Sequence, residues 1–213
     1  CPIRADSLIL LSPDKMKGAL EKHGSKIISM LNQADFGISD IIMKGTNAEM
    51  SLEKSMMLIE KTGPYAVEYE ISLPQGCSKK YSIQLEHESA GTKKILGLII
   101  SWISALEKGN VLLIDGFESG LHPLLVDFMI GHFYEKDLNK NRAQLILTTY
   151  DAALAKRNGF RRDQVWFTAR DQAVGTTSLY SWLDYDVRSD LEFTENYLAG
   201  RFGAVPNINK SEK

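Results

Sequence analysis

A short apolar run that ends in a carboxylate constrains the fold of this chain more than any other feature. Residues 111–115 read VLLID, and the next eight residues, GFESGLHP, contain two glycines and a proline. Four consecutive apolar residues bounded by turn signals are typical of a strand that is covered on both faces. A polar residue at the carboxyl end of such a strand lies where open α/β sheets bind ligands. The run therefore predicts a buried parallel strand with Asp115 at its tip.

The segments around this strand alternate between helical and strand patterns. The sequence predicts helices over 14–34, 95–106, 121–136 and 192–199, and strands over 38–43, 143–148, 165–169 and 178–182. Such alternation argues for a parallel α/β sheet. Residues 65–85 differ, because their apolar and polar residues alternate on either side of a Pro-Gln-Gly turn, which predicts an antiparallel hairpin. Residues 45–64 carry no clear period.

Composition excludes several classes of protein. The chain has 213 residues, of which 44% are hydrophobic, which is enough for one sizeable core. Its 25 basic and 27 acidic residues give a net charge of −2. This balance argues against a protein whose main role is to wrap nucleic acid through a basic surface. The longest apolar run, 95–106, is too short to cross a membrane, so no membrane partner is expected. Two cysteines and no visible secretory signal lead us to expect a reducing, cytoplasmic compartment.

A second motif precedes the predicted helix. Residues 87–92 read HESAGT, and small residues at a helix start let backbone N–H groups approach an anion, which the helix dipole also favours. The alternative is an ordinary cap, in which the Ser89 or Thr92 side chain accepts a hydrogen bond from a backbone N–H of the first turn.

Asp115 also has an ordinary alternative, in which its carboxylate caps the loop that follows the strand. Its functional interpretation is a carboxylate for a Mg²⁺ ion that keeps most of its waters and contacts a nucleotide phosphate.

Together these motifs form one ordered series, which runs from the helix start through the strand ending in Asp115 and the SGLHP turn to a strand ending in Thr148-Thr149. The series resembles the carboxyl-terminal half of an ABC-type ATPase head. It is most similar to the bacterial AAA-like ATPases of ABC architecture that are related to overcoming-lysogenization and abortive-infection proteins. The resemblance starts at residues 31–38 and is strongest from residue 88 to about residue 208, through the tail segments 160–171, 178–190 and 196–208.

The resemblance implies an α/β fold of the P-loop NTPase type. The chain would contain half of the parallel sheet of an ABC-type ATPase, and the hairpin would be an antiparallel addition to it. It implies two domains. Residues 1–87 would hold the N-terminal helix and the hairpin, as the remainder of the head or an insertion. Residues 88–213 would hold the signature helix, the Walker B strand and the carboxyl-terminal ATPase subdomain.

The family's functional residues carry over by position. The signature motif, which would bind the γ-phosphate of ATP held by an opposite subunit, corresponds to Glu88, Ser89, Ala90, Gly91 and Thr92. The resemblance implies that Asp115 ends the Walker B strand and holds Mg²⁺ through water. The D-loop corresponds to Ser119, Gly120 and His122, within the segment 119–122.

Two positions depart from the family pattern. The residue after the Walker B aspartate is normally a glutamate that polarises the attacking water, and here it is Gly116, which has no acid–base capacity. The switch position, normally histidine, is Tyr150, whose hydroxyl can hydrogen-bond a phosphate but cannot carry a proton near neutral pH as imidazole does. Glu118 could substitute only if the loop folded differently, because strand or helix geometry would aim it elsewhere.

The phosphate-binding loop of this family, GxxxxGK[ST], does not occur in the sequence. The nearest string, residues 18–26, has the wrong spacing, inverts Ser25 and Lys26, and lies in a predicted helix. We therefore expect the chain to be the second half of a longer protein and to bind ATP poorly by itself. Whether it hydrolyses ATP stays open.

Two functions follow as hypotheses. In the first, two heads form a homodimer around two ATP molecules with Mg²⁺, and closure controls an effector protein or acts on DNA, in phage defence or DNA transactions. In the second, the chain is a non-enzymatic scaffold whose degenerate nucleotide site leaves a surface for a protein or nucleic-acid partner. A metal-dependent nuclease using Asp115, Asp151, Asp163 and Asp171 is a third alternative, although turn aspartates explain these residues more simply.

The remaining candidates have structural explanations. His122 and His132 are ten residues apart on one predicted helix, too far for one metal ion, so we expect structural roles for both. The three tryptophans are expected in the core. A basic group near Trp166 is expected to be a solvated turn, with a nucleic-acid contact as the alternative, and consists of Arg157, Arg161 and Arg162.

Overall fold

The structure, a computed structural model, describes residues 3–4, 13–43, 65–72, 78–171, 173–186 and 193–206. The chain divides into two compact units, Cys1–Thr148 and Thr149–Lys213. The predicted division into domains after residue 87 stays a prediction. The segment 45–64, for which the sequence shows no period, lies outside the described residues.

In the residues that the structure describes, the first unit combines three α-helices with strands of two sheets. In chain order its elements are β1 (Ile3–Arg4), α1 (Pro13–Gln33), β2 (Ile38–Met43), β3 (Tyr65–Ser72), β4 (Ser78–Gln84), α2 (Ala90–Lys108), β5 (Val111–Asp115), α3 (Pro123–Tyr134) and β6 (Gln144–Leu147). β5 lies between β1 and β6, and both pairings are parallel. β2, β3 and β4 form a separate antiparallel sheet, which contains the predicted hairpin. The fold is therefore α/β, with parallel and antiparallel sheets.

Helix α2 forms the centre of the first unit's core. Its Trp102 side chain is fully buried, stacks on Phe117 at a centroid distance of 5.4 Å and meets Phe133 edge-on at 5.0 Å. The helix ends at Gly109, which adopts a left-handed conformation with φ of +68°. A β-carbon there would lie 2.3 Å from the carbonyl oxygen of Asn141, so only glycine fits. The end of α2, and with it the start of β5, is thus fixed locally.

The central strand is covered on one face, and the prediction of two covered faces is wrong for the described part of the chain. Leu112 and Ile114 are buried, whereas Val111 is 49% and Leu113 42% exposed. Ile146, the neighbour of Leu113 on β6, is 54% exposed. A continuous apolar run looks the same in a strand with one covered face as in a strand with two, so composition could not distinguish them.

The second unit contains α4 (Leu154–Arg157), β7 (Trp166–Arg170), β8 (Thr177–Ser181) and α5 (Phe193–Leu198). β7 and β8 pair antiparallel, not as members of a parallel sheet, because the short turn from Asp171 to Thr176 leaves no room for a crossover. The unit's core is a cluster of aromatic side chains, Phe167, Trp182, Phe193 and Phe202.

Tyrosine hydroxyls fix the turn that closes this aromatic cluster. The Tyr180 and Tyr185 hydroxyls both donate to the carbonyl oxygen of Phe202, at 2.7 and 3.1 Å. Burial raises the pKa of Tyr180 above its usual value, so the hydroxyl keeps its proton and remains a donor. Of the three tryptophans predicted in the core, Trp102 and Trp182 are buried, whereas Trp166 is 56% exposed on the outer face of β7. The prediction for Trp166 is therefore wrong.

Candidate functional site

Asp115 is the last residue of β5 and is exposed at its carboxyl end. The Thr148 hydroxyl donates a hydrogen bond to Oδ1 of Asp115 and accepts one from the backbone N–H of Gly116 at 2.9 Å. The Thr148 N–H also donates to the carbonyl oxygen of Ile114 at 3.0 Å. One threonine on the neighbouring strand therefore orients the carboxylate and fixes the path of the chain that follows it.

The turn after Asp115 folds back towards the core. Gly116 is buried and has φ of +62°, and its carbonyl oxygen accepts the Ser119 N–H at 3.2 Å. Phe117 is fully buried against Trp102, so the turn is attached to α2 by an aromatic stack. The conformation at Gly116 lies in the left-handed region, which favours glycine over a residue such as glutamate.

The start of α2 is capped by Ser89. The Ser89 Oγ accepts the Thr92 N–H at 3.0 Å and lies 2.8 Å from the Thr92 Oγ1. Thr92 is buried, while Ser89 and Ala90 are exposed and Glu88 and Gly91 are half-buried. The ordinary capping role is thus present, and it leaves the first residues of the helix facing solvent.

The two motifs touch each other. A β-carbon on Gly91 would lie 3.3 Å from the carbonyl oxygen of Gly120, which is tighter than an ordinary contact. The Lys94 Nζ donates to the carbonyl oxygen of Gly116 at 3.2 Å and also to that of Ser119. The structure therefore brings the segment 88–92 and the turn 116–120 together on one side of the first unit.

Sequence reasoning missed two residues of this arrangement, Thr148 in its role as partner of Asp115, and Lys94. A threonine at the end of the neighbouring strand was visible in the sequence, but its register with Asp115 was not. Lys94 was visible as a lysine just before an apolar helix, where a solvated side chain is the ordinary expectation.

His122 has a local structural role. Its Nδ1 accepts the Leu124 N–H at 3.2 Å and so caps α3, which begins at Pro123. Ser119, Gly120 and His122 are exposed. Their assignment to a D-loop stays a prediction, as does the assignment of the signature residues 88–92.

Tyr150 lies in the second compact unit and is 94% exposed. Its neighbour Asp151 forms an ion pair with Arg157 at 2.8 Å and caps the turn before α4 through the Ala153 N–H. The role of Tyr150 as the switch residue stays a prediction. Gly116 and Tyr150 provide no carboxylate or imidazole at the two positions where the family has them.

The aspartates proposed for a nuclease centre have other partners. Asp163 pairs with Arg161 at 2.9 Å, whose hydrogen bond lowers the pKa of Asp163, and Asp171 accepts the Ala173 N–H at 2.8 Å within a turn. Within the described residues, no group of three or more histidine, cysteine, aspartate or glutamate side chains could hold a metal ion. The nuclease alternative gains no support there.

His132 is buried in the last turn of α3, with Nδ1 at 3.2 Å from the carbonyl oxygen of Met129 and its ring edge-on to Phe128. Burial lowers the pKa of His132 below its ordinary value of 6.5, because the charged imidazolium would lose its hydration. His132 thus belongs to the core, which is consistent with the structural role that we expect for it.

Comparison with known families supports a nucleotide-dependent class of protein. Residues 78–155 match a family described as "AAA domain, putative AbiEii toxin, Type IV TA system". The matched range begins at β4 and includes α2, β5, α3 and β6, and so contains both motifs of the site. The match supports an AAA, P-loop ATPase-like domain with a nucleotide-binding function.

No curated protein and no solved structure gives a significant match to the chain. The helices described in the structure include none that is both long and apolar enough to span a membrane.

Proposed function

We propose that the chain belongs to an ATP-binding protein of ABC-type architecture, in which two heads form a homodimer around Mg-ATP and head closure controls an effector. Each head contributes two half-sites. The first is the Asp115 carboxylate at the tip of β5, and the second is the segment 88–92 at the start of α2. In the dimer each nucleotide is held by Asp115 of one head and by residues 88–92 of the other.

The observation that carries this proposal is the position of Asp115. An exposed carboxylate ends the central strand of a parallel sheet and is oriented by Thr148. Ligands of open α/β sheets bind at this end of the strands. The donors fit Mg²⁺, because carboxylate and hydroxyl oxygens are hard ligands and a single carboxylate suits an ion that keeps most of its waters. Bound Mg²⁺ would neutralise charge on the nucleotide phosphates.

The start of α2 supports the second half-site. Ser89 and Ala90 face solvent, and Gly91 has no side chain that would block an approaching anion. A helix start of this kind attracts phosphate through its N–H groups and its dipole. The contact between Gly91 and Gly120 links this helix start to the turn that follows Asp115.

The residues at 116 and 150 favour slow hydrolysis. Gly116 offers no general base, and Tyr150 offers a hydroxyl instead of an imidazole. We propose that ATP holds the closed dimer together and that its turnover is slow or absent. A role in phage defence draws on the resemblance to abortive-infection proteins and on the family description, which names a putative AbiEii toxin.

The test is Mg-ATP-dependent association of the full-length protein, measured by sedimentation velocity. We expect a monomer without nucleotide, a dimer with Mg-ATP and no dimer with ATP in EDTA. Replacing Asp115 with Asn should abolish the effect. An unchanged oligomeric state with and without Mg-ATP would contradict the proposal.

A non-enzymatic scaffold is the second candidate, and Gly116 is the observation that favours it, because glycine supplies no catalytic side chain after Asp115. The scaffold requires no nucleotide to bind its protein or nucleic-acid partner. The same sedimentation experiment separates the two candidates.

A further inference from the structure

Lys94 lies one helical turn after Ala90, the first residue of α2. Its ammonium group donates to the carbonyl oxygen of Gly116 at 3.2 Å and to that of Ser119. The Ser119 N–H donates to the same Gly116 oxygen at 3.2 Å, so the two carbonyls belong to the first and last residues of one closed turn. Lys94 therefore bonds to both ends of the turn that follows Asp115.

These bonds join α2 to a turn whose two carbonyl groups lie 22 and 25 residues after Lys94 in the sequence. The neighbouring Gly120 carbonyl lies against Gly91, so the turn contacts the helix start at a second point. Hydrogen bonds from an ammonium group to backbone carbonyls are stronger than those between neutral groups. Because α2 is a continuous helix, a displacement of its first turn changes the position of the turn 116–119.

We infer that Lys94 is a positioning residue that fixes the spacing between the two half-sites of one head. This inference rests on the proposed function, in which the half-sites of one head bind different nucleotides in the dimer. With Lys94 in place, Asp115 and residues 88–92 of one head meet both nucleotides in the correct relative position. Without Lys94, each half-site keeps its own structure, but the distance between the two half-sites no longer matches the closed dimer.

The chain offers a matched control one residue away. Lys93 carries the same charge in the same helical turn, but its ammonium group donates to the carbonyl oxygen of Glu86 at 3.0 Å and not to the turn 116–119. Lys93→Met and Lys94→Met therefore remove the same charge. Lys93→Met loses the hydrogen bond to Glu86, whereas Lys94→Met loses those to Gly116 and Ser119. Lys94→Arg keeps a cation with several donors and is the conservative variant.

The experiment compares these three variants with the wild-type full-length protein. Binding of Mg-ATP to single heads is measured in dilute solution by equilibrium dialysis. Dimer formation against Mg-ATP concentration is measured by sedimentation at higher protein concentration. We expect Lys94→Met to bind ATP as a single head like the wild type, but to need about tenfold more ATP for half-maximal association. Lys94→Arg should restore most of the association, and Lys93→Met should change neither quantity.

The outcomes separate the two claims. If the wild type shows no Mg-ATP-dependent association, the proposed function fails and the inference fails with it. If the wild type associates and Lys94→Met associates equally well, only the inference is overturned. Equal losses in single-head binding and in association would also overturn it, because they indicate a general loss of structure.

A second measurement needs no variant and so does not depend on its folding. Hydrogen exchange of the wild-type protein is followed while Mg-ATP drives association. Amides in the segments 89–96 and 116–121 should gain protection over the same range of ATP concentration. Protection of one segment without the other would contradict a fixed spacing between them.

Discussion

Gly91, in the first turn of α2, lies against the carbonyl oxygen of Gly120. A β-carbon on Gly91 would be only 3.3 Å from that oxygen. The contact joins two motifs that are nearly 30 residues apart in sequence. A β-carbon at position 91 would press on this carbonyl and displace it by a few tenths of an ångström, and it would also narrow access to the helix start.

Replacing Gly91 with Ala tests this contact. A helical glycine replaced by alanine usually gains up to about 1 kcal/mol of stability, but the tight contact with Gly120 should cancel the gain. We expect a free energy of unfolding near the wild-type value and a loss of Mg-ATP-dependent association. Gly131→Ala is the control, because a β-carbon there meets nothing within 4 Å on α3. Chemical denaturation and sedimentation measure both effects, and association unaffected by Gly91→Ala would contradict the prediction.

Replacing Thr148 with Val tests the orientation of Asp115. The substitution removes the donor to Oδ1 and the acceptor for the Gly116 N–H while keeping the volume of the side chain. Because the site is exposed, we expect a loss of only about 1 kcal/mol in stability. The Mg²⁺ concentration needed for association should rise about tenfold, as for other changes to groups that orient a metal ligand.

Thr149→Val is the matched control for Thr148, since the Thr149 hydroxyl accepts the Asp151 N–H at 2.9 Å and lies in the second unit. It should leave the Mg²⁺ requirement unchanged. Equal responses of the two variants in a Mg²⁺ titration would show that Thr148 has no particular relation to the carboxylate.

Replacing Gly116 with Glu tests whether the missing catalytic side chain can be restored. A left-handed φ of +62° should cost a glutamate about 1–2 kcal/mol of stability, and the buried position adds the cost of removing water from its carboxylate. If the rest of the site is competent, ATP turnover should rise above that of the wild type in spite of this strain. Gly116→Asn, which tolerates the left-handed region but is no base, should not raise turnover. Phosphate release under steady-state conditions measures the effect, and equal turnover in both variants would count against a dormant hydrolytic site.

His132 should make stability depend on pH. Its folded pKa is lowered below 6.5 by burial, so the unfolded state binds more protons over the interval between the two values. The contribution of the neutral, buried imidazole is fully present above pH 6.5 and is lost as the pH falls through that interval. We expect His132→Gln to reduce the slope of the free energy of unfolding between pH 7 and pH 5.

His87→Gln, which makes the same substitution at an exposed histidine, serves as the control. Urea denaturation at several pH values supplies the measurement. Parallel pH profiles for the wild type and His132→Gln would refute the assignment of this slope to His132.

The sequence could predict the elements of the site but not their contacts. The apolar run and its polar end located Asp115, and the small residues before α2 located its start, because both signals are local. The bonds of Lys94 and Thr148 are tertiary, since their partners lie more than 20 residues away. Periodicity identifies which residues are apolar and leaves open how many faces are covered. For that reason the sequence predicts a core position for Val111, Leu113 and Trp166, although each is substantially exposed.

The stack of Trp102 on Phe117 gives the protein an internal optical probe. Phe117 belongs to the turn after Asp115, so movement of that turn changes the surroundings of the indole ring. The sequence contains three tryptophans, and the other two, Trp166 and Trp182, lie in the second unit. A double replacement of these two with Phe would leave Trp102 as the sole indole fluorophore of residues 1–213. Its emission maximum and quenching would then follow nucleotide binding in real time without any attached dye.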